Sequence, residues 1–426
     1  MSIAQNAKIR QVSEKTIVVG VDIGSETHHT RAFDWRGIEL SKVFSFSSDA
    51  EGYESFDAWL VKLKSAYGKS AVIVGAEPTG HYWFTFGEHL KAQKVKLVFV
   101  NPMHVKRTKE LDDNRAGKSD LKDPKTIAQL VREGRFLEPY IPEDIYAELR
   151  VMNDARIRIT DEMTAIENRV KRWFAIYFPE HKKAFGSWDC ESSLIVLKTA
   201  SLPKDVVALG ADGINALWRE KKLRAVGKKR ANILYDTAKS SVGVTTGENA
   251  ARCEMSMLLE DYESKRSQFG RVLETLETLC IQVPGAKKML AMKGIGLLTV
   301  STFFAEVGDL SRFRSPKQIQ KLAGYAIAEN SSGKHRGKTG ISKRGRKRLR
   351  WALFQAVMSL IRHQAGFAQL HKYYTARPDN PLKSKQSKVA LACKLIRVFW
   401  AIVKKDADFN SNKMMCDIVR NLPSAA

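Results

Sequence analysis

The chain has 426 residues, 44% of them apolar, and its 71 Lys plus Arg against 46 Asp plus Glu give a net charge of +25; that is enough apolar material for two or three folded domains. The charge is local, since Ser311 to Ala426 holds 25 basic and 5 acidic residues, +20 of the +25. A field of that size points to a polyanion, most often nucleic acid, although a solvated cationic face or an anionic membrane surface also fits. No segment nears about 18 uninterrupted apolar residues, and Met1 to Gln11 lacks the apolar stretch of a signal peptide, which argues for a cytoplasmic protein with no membrane partner.

In chain order, KTIVVGVDIG from Lys15 to Gly24 is a continuous apolar run closing on Asp and Gly, the pattern of a strand buried on both faces. Weaker extended runs follow at Thr30 to Trp35 and Leu40 to Ser47, with Arg36-Gly37 as the turn between them. Tyr53, Phe56, Trp59, Leu60 and Leu63 recur at helical spacing. A second buried strand, AVIVGAE, ends at Glu77; a helix is expected near His81 to Ala92, and a third apolar strand, VKLVFVN, ends at Asn101. Three meandering strands followed by βα units predict an α/β sheet covered by helices.

The middle third reads differently. Leu149, Met152, Ile159, Met163, Ile166, Val170, Trp173 and Tyr177 fall on a heptad series broken by Arg156. Leu258, Tyr262, Phe269, Val272, Leu276 and Leu279 form another, broken by Lys265. Such a pair makes an antiparallel coiled-coil arm, an oligomer seam or two amphipathic core helices. Gly186 to Gly247 between them, rich in Ser, Gly and Lys, reads as an irregular inserted subdomain. From Lys287 onward the chain is helical, and KGIGLLTV has the form of a helix-hairpin-helix turn or of a plain interhelical turn. The five cysteines, Cys190, Cys253, Cys280, Cys393 and Cys416, are scattered and lack a C-x-x-C pair, which reads as reduced thiols and argues against structural zinc.

Open α/β sheets place their ligands at the ends of parallel strands. Asp22 closes the first strand and Glu77 the fourth, so the two carboxylates meet if those strands are neighbours. Asp120 and Asp123, in KSDLKDPKTIAQL, stand at the entry to the next helix, where Asp123-Pro124 is also an N-cap pattern. Four convergent oxygen donors suit Mg²⁺ (or Mn²⁺), which bridges to phosphates and stabilises phosphoryl displacement. The run Lys106, Arg107, Lys109, Arg115 and Lys118 fits a nucleic-acid backbone alongside. In the C-terminal segment, Ser331-Ser332-Gly333 lies among Lys334, His335 and Arg336, and Lys343, Arg344, Arg346, Lys347, Arg348 and Arg350 lead into Trp351. A hydroxyl beside such cations can attack a phosphodiester, while the cations neutralise phosphates without regard to base sequence.

Together, VGVDIGSETHH, GAEPTGHYW, KSDLKDPKTIA, KGIGLLTVSTFFAEVGD and ENSSGKHRGKTGISKRGRKRLRW resemble, in order, the motifs of the insertion sequence 110 family of bacterial transposases, over about Thr16 to Arg135 and Met289 to Ala401. The resemblance implies an N-terminal RuvC-like domain of the RNase H fold (a mixed five-stranded sheet) over 12–140. Coiled-coil helices then fill 141–285, with the insertion at about 186–247. A mostly α C-terminal domain over 286–410 carries the serine nucleophile, and 411–426 is a tail. By motif, Asp22, Glu77, Asp120 and Asp123 are the metal-binding acids; Ser332 is the nucleophile, with Ser331 in reserve. Lys334, Arg336, Lys343, Arg344, Arg346, Lys347, Arg348 and Arg350 are the nucleic-acid contacts. It further implies donor and target DNA as partners, a structured guide RNA, a dimer or tetramer, and a nucleoid-associated location. The alternative is a RuvC-like Holliday-junction resolvase or invertase that uses metal-activated water. The motif VGVDIGSET also resembles the phosphate-loop strands of actin-like ATPases, which require a second glycine-rich phosphate motif that is missing here.

Overall fold

The computed structural model describes residues 3–112, 123–328, 331–332, 335–336 and 340–419. The chain divides into two compact units, Met1–Ile141 and Pro142–Ala426. Unit 1 runs α1 (Ile3–Ile9), β1 (Thr16–Asp22), β2 (Thr27–Phe33), β3 (Phe44–Ser47), α2 (Ala50–Tyr67), β4 (Ala71–Ala76), α3 (Phe84–Ala92), β5 (Lys96–Val100), α4 (Pro102–Asp112), α5 (Asp123–Arg132) and β6 (Phe136–Leu137). Its sheet has the order β3-β2-β1-β4-β5-β6. Strand β1 is parallel to β4 and β4 to β5, whereas the pairs β1/β2, β2/β3 and β5/β6 are antiparallel. The α/β class and its five expected strands are present. The sixth strand is two residues long, too short to print a period on the sequence.

Alternation along β1 sorts the layers. Ile17, Val19 and Val21 join Tyr53, Phe56 and Leu60 of α2 and Phe86 and Leu90 of α3 in one core. Val18 instead joins Ile73, Val98 and Val100 in a second core with Ile127, Leu130 and Val131 of α5. Helix α5 sits on a flat spot. Gly20 and Gly75 are partners across β1 and β4, and a Cβ at Gly20 would lie 1.8 Å from the Pro124 carbonyl oxygen, while one at Gly75 would lie 2.4 Å from Val131 Cγ2. A glycine inside a strand weakens it, and close approach of a second backbone is the usual reason for it.

In unit 2, α6 (Asp144–Tyr177) is followed by α7 (His181–Ala184), α8 (Glu191–Thr199), α9 (Pro203–Glu220), α10 (Lys228–Lys239) and α11 (Glu248–Cys280). Then come α12 (Ala286–Leu290), α13 (Leu297–Val307) and α14 (Pro316–Leu322). The short strands β7 (Ile327–Ala328), β8 (Ser331–Ser332), β9 (His335–Arg336) and β10 (Gly340–Ile341) lead to α15 (Lys347–His363), α16 (Ala365–Ala376), α17 (Ser384–Lys405) and α18 (Ser411–Val419). The two heptad series are α6 and α11, which pack on one another. Late α6 meets early α11: the Trp173 indole N–H donates to the Ala251 carbonyl (2.9 Å), Arg172 pairs with Glu254 (3.9 Å) and Lys265 with Glu162 (2.6 Å), so the pair is antiparallel and lies within one chain. Lys265 breaks its heptad series because it faces Glu162. Arg156 breaks the other as a buried cation whose Nε donates to Asn153 Oδ1 (3.3 Å).

The helix pair serves two cores. Leu149, Ile159, Val272 and Leu276 belong to one with α13, α15 and α17, whereas Ile166, Val170, Trp173, Met255, Leu258 and Tyr262 belong to another with the insertion. The insertion is therefore helical rather than irregular. Val206, Ile214 and Trp218 are the buried stripe of α9, and Gly210 takes the place between the first two, which hid a spacing of four. Gly210 itself leaves the helical region (φ 67°, ψ 165°) and kinks the helix. Helix α13 buries Val300 to Val307 on all sides, as the centre of a bundle must. No helix among the described residues is long and apolar enough to cross a membrane.

Both units bury a neutral histidine. His28 is fully buried among Phe46, Tyr53 and Phe86 with neither ring nitrogen hydrogen-bonded; burial, and secondarily His29, pushes its pKa down to about 4. His181 meets the Ser193 hydroxyl at 3.1 Å and is likewise pushed down to about 4 by burial. Below pH 6.5 the unfolded chain takes up protons that the folded chain refuses, so stability is complete above that pH and falls as pH drops towards 4, by about 2 kcal/mol per histidine at pH 5. Thermal melts at pH 7 and pH 5 check this. His28→Leu should flatten the acid loss of unit 1, and an unchanged pH dependence in that variant would contradict the assignment.

Candidate active site: strand-end acids and a basic helix

Register, not sequence proximity, assembles the acids. Val21 pairs with Ala76 in the parallel ladder, so the next residues, Asp22 and Glu77, stand side by side at the carboxyl ends of β1 and β4. On its other flank Asp22 is paired with His29 of β2, whose Nδ1 meets the Ser45 hydroxyl at 2.8 Å. Burial, then the adjacent Asp22 charge, raises the pKa of Glu77; Lys109 acts in the opposite sense. Two carboxylates that resist joint ionisation are a site that wants a cation.

Asp123 opens α5, and the seat of that helix on Gly20 and Gly75 fixes where it stands. Its Oδ1 is buried without a hydrogen bond, yet the Lys109 ammonium of α4 lies against it. The two form an ion pair. Asp120 lies outside the described residues, as do Arg115 and Lys118. Lys106 and Arg107 are exposed on α4. Among the described residues no group of three His, Cys, Asp or Glu is close enough to hold a metal. The donors present nonetheless suit a hard divalent ion: they are carboxylate oxygens, two of them in mutual repulsion and the third already facing a cation.

The basic segment divides in two. Its entry is a set of short pairings, β7 with β10 and β8 with β9, that set Ser331 opposite Arg336 and Ser332 opposite His335. Lys334 lies outside the described residues. Arg346 then pairs with the nearly buried Glu306 of α13 at 3.1 Å, Arg348 pairs with Asp154 of α6, and Arg350 donates to the carbonyls of Ala323 (2.9 Å) and Lys343 (3.2 Å). These three hold the segment in place. Lys343, Arg344 and Lys347 face water.

A sheet that ends in carboxylates, in a chain whose second unit presents cations on a helix, is consistent with an enzyme of polyanion chemistry. Comparison with known proteins narrows the class. Residues 19–179 match the DEDD transposase model of IS110 elements, and residues 286–374 match the model described as Transposase IS116/IS110/IS902 family. The chain is 23% identical over 393 residues to the insertion element IS116 uncharacterized 44.8 kDa protein of Streptomyces clavuligerus, covering 91% of this chain and 94% of that one. It is 25% identical over 173 residues to the transposase for insertion sequence element IS1111A of Coxiella burnetii (40% and 46% of the two chains). With the pilin gene-inverting protein of Moraxella bovis it shares 28% identity over 128 residues (29% and 38%). The chain belongs to the IS110/IS116 family of insertion-sequence transposases, and it is a transposase.

The sequence reading placed Lys109 in a phosphate-binding run and overlooked Gly20 and Gly75. The repeated Gly-x-acid of Gly20-Val21-Asp22 and Gly75-Ala76-Glu77 was the available signal. The ion pair yields a double-mutant test. Lys109→Ala should cost about 1–3 kcal/mol by stranding a half-buried carboxylate, and adding Asp123→Asn should recover most of that loss. Strictly additive costs in denaturant titrations would refute the pairing.

Proposed function

We propose that this transposase cuts and exchanges DNA strands through a covalent phosphoserine, with Asp22, Glu77, Asp120 and Asp123 holding Mg²⁺ (or Mn²⁺) in an RNase H-type fold. The observation that carries the metal reading is the side-by-side placement of Asp22 and Glu77, with the Glu77 pKa raised by burial and then by its neighbour. The strand order, an antiparallel three-strand meander joined to parallel strands, supports the fold assignment. In this reading the Ser332 hydroxyl attacks a DNA phosphate. A bond forms from Ser332 Oγ to phosphorus, the phosphorus bond to the leaving strand breaks, and the serine proton passes to the leaving oxygen. The exposed Lys343, Arg344 and Lys347 offset the charge that gathers on the phosphate. Bound to the acids, a divalent ion supplies charge stabilisation to the phosphate oxygens.

Donor and target DNA, a dimer or tetramer, a cytoplasmic nucleoid location and guidance by a structured RNA from the element complete the proposal; family resemblance supports these. The similarity to a pilin gene-inverting protein favours inversion as a sister outcome of the same strand exchange. The test is trapping. Wild-type protein with cognate DNA and Mg²⁺ should yield a denaturant-resistant protein–DNA adduct, Ser332→Ala should abolish it, and Asp22→Ala or Glu77→Ala should lower its rate by about 10²-fold or more. Normal cutting by Ser332→Ala without an adduct would replace the serine mechanism with metal-activated water.

A further inference from the structure

Helix α15 shows water an unusual stripe. Its inner face buries Leu349, Leu353, Ala356, Val357 and Leu360, while Lys347, Trp351 and Gln355, four residues apart, all face out. Trp351 is 60% exposed; of the other seven tryptophans the next most exposed is Trp35, at 42%. Lys343 and Arg344 stand exposed in the turn just before it. This turn is held rigidly. The Lys343 amide donates to the Gly324 carbonyl (3.0 Å), the Arg346 amide to the Leu322 carbonyl (2.8 Å), and the Arg350 side chain ties the turn to Ala323.

Helix stability explains neither feature. Cations in the first turn oppose the helix dipole, and a tryptophan in water adds no packing. A flat, exposed ring among exposed cations is what single-stranded nucleic acid uses, because every base has a face to stack and every nucleotide a phosphate to neutralise. Duplex DNA offers the phosphates but keeps its bases stacked inside.

We infer that Trp351 is a stacking platform for an unpaired base of single-stranded DNA, whose backbone runs along Lys343, Arg344 and Lys347. This rests on the reading of the basic segment as a DNA contact and adds to it a strand state: the segment meets DNA that has been opened. DNA is assigned because the chain is a transposase. The two serines precede this platform in the chain, on β8.

The experiment is an anisotropy titration of full-length protein with a labelled 20-nucleotide single strand, the matching duplex and an RNA single strand of the same sequence. Trp351→Ala should weaken single-stranded DNA binding by about 5- to 50-fold and duplex binding by less than about twofold, with Trp351→Phe retaining most of the affinity. Lys347→Ala should weaken both DNAs and lower the salt slope by about 0.7–0.9. Equal losses on single strand and duplex, or none, would overturn the stacking role, and a Trp351-dependent preference for RNA would overturn the assignment to DNA. If Lys343→Ala/Arg344→Ala binds both DNAs as the parent does, the underlying reading of the segment fails as well. The serine-adduct assay scores Ser332 separately, so the failures are distinguishable.

Discussion

Helix α5 lies against the sheet of unit 1 only because Gly20 and Gly75, opposite one another in adjacent parallel strands, have no side chains. That contact fixes three things at once. It brings Asp123 to the carboxyl ends of β1 and β4, it presses Ile127 and Val131 into the second core, and it leaves Asp22 and Glu77, two residues beyond the glycines, at the same end of the sheet. Two glycines in central strands cost strand stability. A fold that keeps both is fixing the position of a helix, and through it of a carboxylate.

Unit 2 solves a different problem with a related economy of means. One antiparallel helix pair, α6 with α11, contributes apolar residues to two separate cores. Within the first of these cores, between Leu149 and Ile159, the pair carries polar residues: Asn153 accepts from Arg156 (3.3 Å) and from the Thr302 hydroxyl of α13 (3.0 Å). Beside them Asp154 and Glu306 grip Arg348 and Arg346. Buried or half-buried pairs of this kind fix position more than they add stability. The basic segment is thus positioned by half of its own cations, while the other half, Lys343, Arg344 and Lys347, faces water.

Much of this was legible in the sequence. Buried parallel strands print continuous apolar runs, so β1, β4 and β5 and the acids that end the first two were readable, and the heptads of α6 and α11 gave the central pair. What escaped was set by tertiary contact. The stripe of α9 was masked by Gly210, β6 is two residues long, and no local pattern tells that Arg346 and Arg348 face acids from distant helices while Lys343 and Lys347 do not. Asp22 and Glu77 could be proposed as neighbours, but only the register of β1 on β4 makes them so.

The central proposal is that Asp22, Glu77 and Asp123, brought to one end of the sheet by the β1/β4 register and the glycine seat of α5, close on a divalent cation when it binds. Iron-directed hydroxyl-radical cleavage measures it directly, with Fe²⁺ standing in for Mg²⁺ and backbone cuts mapped by mass spectrometry. Cuts should cluster at the segments around residues 22, 77 and 123, compete away with Mg²⁺, and lose the 123 cluster in a folded Gly75→Ala variant that lifts α5 from the sheet. Scattered cuts, or a cluster that excludes Asp22 and Glu77, would contradict the account.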